Sequence, residues 1–167
     1  DYTTNLLKSA GTIDVTDMVS DITNGLLCIG GHFGYIEGDA TLNAPAWEGT
    51  LNSNFVDKDN YCPTKVGGIV AMVNGVTNIT GATVAGTLKT AHRWDTKASK
   101  QVNHSMGGIV GECCDAVTIK DSNNTANITW DRASSAQRTQ YSSVALGGIA
   151  GRILGGNALI ENCHNNS

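Results

Sequence analysis

Acidic residues are the side chains of this chain that come nearest to a spacing with chemical consequences. Asp57 and Asp59 are two residues apart, as the first oxygen ligands of a calcium loop are. The alternation of oxygen ligands stops at Tyr61, so a solvated turn is the favoured interpretation. A pair of carboxylates for polysaccharide cleavage would need acids from distant segments to meet. The candidates for such a pair are Glu37, Glu48, Glu112 and Glu161.

Histidine and cysteine lack the spacing of a metal site. No histidine has a second histidine four residues away, and no two cysteines form a C-x-x-C pair. Cys113 and Cys114 are adjacent, which does not suit zinc. The sequence therefore predicts no metal ion, no cofactor and no catalytic residue, and so no enzyme activity.

A glycine-rich word is the other pattern that could carry chemistry, because the backbone amides of such loops bind phosphates. The word Gly67-Gly68-Ile69-Val70 lacks the G-x-G-x-x-G spacing and the P-loop lysine, and no helical pattern follows it. A nucleotide site is therefore not predicted. The word recurs in steps of 40 residues (67 to 107 to 147), as Gly107-Gly108-Ile109-Val110 and Gly147-Gly148-Ile149.

Composition sets the broad class. The chain has 167 residues, a formal net charge of −4 and 16% charged residues, so it lacks the basic surface that nucleic acids require. No apolar run approaches the ~18 residues of a membrane span, and neither nucleic-acid binding nor membrane insertion is predicted. Glycine is abundant (20 residues) and proline is rare (2 residues), which with many Asn, Thr and Ser residues favours short strands and turns.

The glycine word belongs to a repeat that covers the whole chain. A degenerate copy begins at Ile29, and words such as Ala-Gly-Thr-Leu at 85–88 recur downstream of each copy. The chain is interpreted as one repeat domain, 1–167, that is a fragment of a longer array. Its predicted partners are the neighbouring repeats of the same longer chain. Its units are 1–28 (partial), 29–65, 66–105, 106–145 and 146–167 (partial).

Matching positions of the units indicate which residues face the core. Alternation along one predicted strand places Val66 and Val70 inward, and the small residue after Val70 marks a corner. Ile69 lies between them and should point to the opposite, outer face of the strand. Because its column is mostly apolar, that outer face is predicted to be covered as well. Three short strands per unit, stacked about 4.8 Å apart, predict an all-β, right-handed parallel β-solenoid with one coil per repeat. Further apolar columns join Leu42, Ile79, Ile119 and Ile160, and Ile13, Leu51, Leu88 and Ile128.

Three polar excursions separate the core words, at 52–65, 89–105 and 129–145. They diverge in sequence while the core words hold, which is typical of loops or hairpins along one edge of a solenoid. Their aromatic residues have two interpretations: they cover the apolar outer column, or they form a ledge that binds glycan or protein. The candidate binding residues are Trp94, Trp130 and Tyr141.

Two cysteines occupy similar places in successive units. Cys28 lies just before the glycine word of one unit, and Cys62 lies four residues before that of the next. Stacked coils could bring them within the roughly 4.4–6.8 Å Cα separation that a disulfide requires. The alternative is two unrelated thiols.

The words Gly-Gly-Ile-Val-Gly at 107–111 and Ile-Glu-Asn-Cys-His-Asn-Asn-Ser at 160–167 resemble the GLUG-motif repeat. The resemblance covers residues 29–167, with departures at His32 and Phe33 in the first full unit and at Ala71 in the second. In that family such repeats occur in large bacterial surface proteins and adhesins. The resemblance implies a secreted or cell-surface, extracellular β-solenoid, and it implies no chemical reaction.

The leading functional prediction is a non-catalytic structural or adhesive module, a stacked-coil spacer that binds a host or matrix protein or glycan through its edge loops. A carbohydrate-binding or carbohydrate-cleaving β-helix is the alternative, and it would need a carboxylate cluster or an aromatic row on one face. Ice binding would need a regular Thr-x-Thr ladder, but the column of Thr12, Thr50 and Thr87 is broken at Asn127.

Overall fold

The computed structural model describes residues 2–20, 25–57, 63–94, 102–132 and 142–167. Within these ranges every regular element is a β-strand, and no helix is long and apolar enough to cross a membrane. The strands form four parallel sheets, in which each coil adds strands beside those of the coil before. This arrangement confirms the prediction of an all-β parallel β-solenoid. The right-handed sense of the coils stays a prediction, favoured by the usual chirality of parallel crossovers.

Two of the sheets flank the glycine word. The pre-corner sheet contains the strands that end on the first glycine of the word: β3 Leu27–Gly30, β7 Thr64–Gly67, β11 Val102–Gly107 and β16 Ser142–Gly147. The post-corner sheet contains the strands that begin on its fourth residue: β4 Phe33–Glu37, β8 Val70–Asn74, β12 Val110–Cys113 and β17 Ala150–Ile153. Successive copies of the word align, so that Val66 lies between Ile29 and Met106.

The other two sheets complete each coil. The middle sheet contains β1 Tyr2–Asn5, β5 Ala40–Asn43, β9 Thr77–Thr80, β13 Val117–Lys120 and β18 Ala158–Glu161. The long-strand sheet contains β2 Lys8–Ser20, β6 Ala46–Asp57, β10 Thr83–Trp94, β14 Asn123–Asn124, β15 Asn127–Arg132 and β19 His164–Asn165. Both β14 and β15 pair with β10.

The predicted interior columns are confirmed by the strand registers. Ile79 pairs with Leu42 on one side and Ile119 on the other, and all three side chains are fully buried. Leu88 likewise pairs with the buried Leu51. Like residues therefore stack on like residues about 4.8 Å apart, which buries an apolar ridge that no single coil could cover.

The glycine word is a corner between two strands, and the prediction of one continuous strand over 66–70 is wrong. β7 ends just before Gly68 and β8 begins just after Ile69. A Cβ atom on Gly68 would lie 2.2 Å from the carbonyl oxygen of Gly108 and 2.4 Å from the side chain of Val84. Only glycine fits this crowded corner. Because the corner divides the predicted strand into two, a full coil such as β7 to β10 has four strands rather than the predicted three.

The corner turns Ile69 toward the interior. Its side chain is fully buried in the same core cluster as Val66 and Val70, so the prediction of a separate covered outer face is wrong. The small residue after Val70 is also not a corner. A Cβ atom on its equivalent in the next coil, Gly111, would lie 2.5 Å from the carbonyl oxygen of Val66. The residue must be small because the strands before and after the corner pack closely.

A second corner, between the middle and long-strand sheets, uses the left-handed backbone region. Its residue has a φ of 48° at Ala44, 68° at Gly81, 50° at Asp121 and 52° at Asn162. Gly, Asp and Asn adopt this region more readily than other residues. The Asn162 side chain also donates a hydrogen bond to Asp121 of the coil before, at 3.1 Å. The backbone geometry of this corner therefore repeats although its residue type does not.

The ends of the polar excursions, which the sequence predicts to be loops or hairpins, are strands that continue the parallel ladder. β6 runs to Asp57, β10 to Trp94 and β15 to Arg132, and Lys89 pairs with Asn52 within them. The parallel ladder continues because it pairs backbone groups, and these need partners whatever the side chains are. The central residues of the excursions, 58–62, 95–101 and 133–141, lie outside the described residues.

Candidate functional site

Trp130, one of the predicted binding aromatics, packs against the core. It lies on β15, its ring centroid is 5.4 Å from that of the buried His104, and it contacts the core cluster. The His104 ring accepts a hydrogen bond from the backbone N–H of Thr64 at 3.1 Å, which ties the ring to β7. These contacts favour the interpretation in which the aromatic residues of the excursions cover apolar surface.

The other predicted binding and bridging residues are only partly placed. Trp94 is the last residue of β10, whereas Tyr141 lies outside the described residues. Cys28 lies on β3 and pairs with Lys65 of the next coil. Its predicted disulfide partner, Cys62, lies outside the described residues. The binding ledge and the disulfide therefore stay predictions.

A buried ionic cluster lies between the pre-corner and post-corner sheets. Lys65 Nζ on β7 donates to Glu112 Oε2 on β12 at 2.5 Å, and both side chains are 5% exposed. The same ammonium donates to the backbone carbonyl of Asn103 at 2.9 Å, and the Ser105 hydroxyl donates to Glu112 at 3.3 Å. Arg152, whose side chain is 34% exposed, lies 3.9 Å from Glu112.

The ionic cluster joins three successive coils. Lys65 comes from β7, Glu112 from β12 in the next coil, and Arg152 from β17 in the coil after that. The carboxylate faces two cations and one hydroxyl, and its burial leaves little access for a ligand. A buried polar network satisfied in this way makes one arrangement of the backbone specific. The cluster is therefore suited to fixing the coils relative to one another and poorly suited to binding a substrate.

Two of the other candidate acids have partners of their own. Glu37 accepts hydrogen bonds from the Tyr35 hydroxyl and from Asn74 Nδ2, and the bond from Tyr35 holds the pKa of Glu37 below its usual value. Glu161 forms an ion pair with Lys120 at 2.8 Å. Across the described ranges, no three His, Cys, Asp or Glu side chains converge as metal ligands would.

A groove of about 400 Å³ crosses the long-strand sheet, and its outward-facing residues come from three strands. The strand registers place Lys8, Ala46 and Thr83 in one outer column and Ala10, Glu48 and Ala85 in the next. The short alanine side chains leave space between the longer ones. Sequence reasoning did not identify the groove, because its signal, alanine at alternate outward positions, is visible only when the strand registers are known.

Polar residues close interior columns at the N-terminal edge of the solenoid. Ser9 lies in the column of Trp47, and His32 takes the place of Ile69 at the glycine corner. His32 Nε2–H donates to the backbone carbonyl of Ala46 at 2.9 Å, which leaves Nδ1 to accept a hydrogen bond from the Ser9 hydroxyl at 3.1 Å. Burial lowers the pKa of His32, which favours the neutral ring that this arrangement needs. In the sequence, Ser9 and His32 each appear only as a departure from the repeat, so their hydrogen bond could not be predicted.

At the C-terminal edge the column of Ser9 and Trp47 also ends on a polar residue, Asn165, which accepts a hydrogen bond from Asn124 at 2.8 Å. Three other columns end there on apolar residues. Leu146 is 53% exposed and Ile160 is 46% exposed, although they occupy the columns in which Val66 and Ile119 are fully buried. Ile149 is partly exposed as well. These exposures arise because β16, β17 and β18 lie at the ends of their sheets.

No family model, curated protein or solved structure matches this chain. The resemblance to the GLUG-motif repeat therefore stays a prediction that rests on the words at 107–111 and 160–167. Function has to be inferred from the geometry of the chain itself, from its two unlike edges, its ionic cluster and its outer groove.

Proposed function

We propose that this chain is a structural spacer in a secreted or surface-displayed protein, and that its C-terminal edge stacks against a further coil of the same repeat. The observation that carries the proposal is the exposure of Leu146 and Ile160, whose columns are sealed one coil earlier at Met106 and Ile119. A neighbour that continues these columns is favoured, because burying apolar surface contributes about 25 cal/mol per Å².

The geometry of the C-terminal edge also restricts what that neighbour is. β16, β17 and β18 each have one side without a strand partner among the described residues. Unpaired backbone groups of such edge strands bind a further strand. A coil of the same repeat supplies both the strand pairing and the apolar residues at the positions of Leu146 and Ile160. A smooth protein surface supplies neither.

The N-terminal edge supports this direction of stacking. Ile29 is 5% exposed there although it shares the column of Leu146, and the side chains of Ser9 and His32 are hydrogen-bonded to each other. Terminal repeats of solenoids use polar substitutions of this kind to keep an end of the stack soluble. The open, apolar end is therefore the one proposed to receive another coil.

Surface display and an adhesive role rest on the resemblance to GLUG-motif repeats. Within that proposal, host or matrix proteins or glycans are the partners of the polar excursions. Replacing residues 58–62, 95–101 and 133–141 by Gly-Ser linkers should then abolish binding to such partners while leaving the solenoid folded. Each further coil would lengthen the spacer by about 4.8 Å without changing the interior columns.

An extended chain, with a second copy of residues 127–167 directly after Ser167, tests the stacking. Asn124 pairs with Asn165, an offset of 41 residues (165 − 124), so a copy that begins at 127 continues the strand registers. The added coil should bury Leu146 and Ile160 and slow amide hydrogen exchange in β16 and β18. It should also raise the melting temperature by about 5 °C, because each apolar side chain that becomes buried adds on the order of 1 kcal/mol.

The matched control is the same extension with Leu146→Asp and Ile160→Asp in the added copy only. It has the same length but places carboxylates against the apolar columns, so it should leave hydrogen exchange in β16 and β18 unchanged. Equal exchange rates in the parent chain and the unmodified extension would show that the open edge does not accept a coil.

A further inference from the structure

We infer that the outer groove of the long-strand sheet is a binding site for a neutral saccharide. The groove has a volume of about 400 Å³, which lies within the range of small-ligand sites. Its longer polar side chains and its short apolar ones alternate: Lys8, Glu48 and Thr83 against Ala10, Ala46 and Ala85.

Two charged residues of the groove have no ion-pair or hydrogen-bond partner among the described residues, Lys8 and Glu48. Most of the charged side chains that the structure describes are bonded, among them Lys65, Lys120 and Glu161. Farther along the same face, Lys89 and Asp131 pair at 2.9 Å. The groove therefore presents one ammonium donor and one carboxylate acceptor that no described residue engages.

These two groups define the class of ligand. Lys8 and Glu48 stand on neighbouring strands with opposite charges, so their fields largely cancel and the groove favours neither an anion nor a cation. A ligand with several hydroxyl groups can donate to Glu48 and accept from Lys8, and Thr83 can serve in either sense. The alanine methyl groups between them provide apolar contact for the C–H face of a pyranose ring.

The dimensions of the groove fit a short oligosaccharide. Lys8 and Thr83 lie in one column, with Ala46 on the strand between them. Two strand spacings amount to roughly 10 Å, which is enough for a disaccharide unit laid along the solenoid axis. This inference is independent of stacking at the C-terminal edge, because the groove is formed by β2, β6 and β10.

The experiment is an NMR titration of the ¹⁵N-labelled chain with maltotriose, cellotriose, chitotriose and mannotriose in turn. At least one trisaccharide is expected to shift the amide signals of residues 8–10, 46–48 and 83–85. Glu48→Gln and Lys8→Met should each weaken its binding by about tenfold. Ala85→Trp should abolish binding, because its ring fills the groove from the solvent side. Lys89 lies on the same face outside the groove, so the Lys89→Met variant should bind the trisaccharide with the same affinity as the parent chain.

Three results would overturn the inference. The first is that none of the four trisaccharides shifts any amide of the groove at millimolar concentration. The second is binding that Glu48→Gln, Lys8→Met and Ala85→Trp leave unchanged, which would place the saccharide elsewhere on the chain. The third is a groove that responds to a zwitterionic dipeptide such as glycylglycine and to no saccharide.

Discussion

Replacing Val110 by aspartate is expected to unfold the solenoid. Val110 is fully buried at the start of β12, and it pairs with Val70 on one side and Ala150 on the other. An unpaired carboxylate at this position would cost on the order of several kcal/mol, against a total stability of about 5–15 kcal/mol for a domain. Urea unfolding followed by circular dichroism should show Val110→Asp largely unfolded, or with a midpoint far below that of the parent chain.

Asn78→Asp is the matched control for this substitution. It introduces the same carboxylate on the exposed outer face of β9, so it should change the free energy of unfolding by less than about 0.5 kcal/mol. Both positions lie in inner strands of their sheets. A difference in stability between the two variants therefore cannot arise from fraying of an edge strand. Equal urea midpoints for the two variants would mean that Val110 does not face the interior.

Lys65→Met is expected to lower the free energy of unfolding by about 3 kcal/mol. The substitution keeps a long side chain but leaves the buried Glu112 without its nearest cation, and breaking a buried pair from one side is costly. Arg152 compensates only in part, since it lies 3.9 Å from the carboxylate. The loss should appear as a lower urea midpoint with an unchanged slope.

Lys89→Met provides the comparison on the surface. Its partner is Asp131, both side chains are about half exposed, and removing such a pair costs roughly 0–1 kcal/mol. The double variant Lys65→Met with Glu112→Leu should recover much of the stability that Lys65→Met loses, because no unpaired charge remains buried. If Lys65→Met were no more costly than Lys89→Met, the ionic cluster would not hold the coils together.

The interior columns were predictable from the sequence because apolar residues recurring at a constant step can be aligned before the fold is known. Ile79 and Ile119 are such a pair, and they are neighbours in the middle sheet. The glycine corner was not predictable in the same way. Alternation alone assigns Gly68 to the interior of a strand, whereas the crowding that requires glycine comes from the carbonyl of Gly108 and exists only when the coils are stacked.

The polar features of the chain were beyond sequence reasoning for a related reason. Lys65 and Glu112 are 47 residues apart and belong to different words of different units. They meet because the chain turns at the glycine corner and the next coil stacks on it. The unpaired charges of the groove, Lys8 and Glu48, are likewise 40 residues apart in sequence (48 − 8). They become neighbours because the register of β2 and β6 is offset by 38 residues (46 − 8).

Methyl NOE spectroscopy on a chain with labelled isoleucines tests most directly the central claim, that like residues of successive coils stack in register. The registers place Ile119 between Ile79 and Ile160, and the glycine corner places Ile69 beside Ile109. Strands about 4.8 Å apart hold such methyl groups within NOE range, so stacked coils predict a cross-peak for each of these neighbours. Absence of the Ile79–Ile119 and Ile69–Ile109 cross-peaks from a folded sample, or cross-peaks that indicate antiparallel neighbours, would contradict the stacked solenoid.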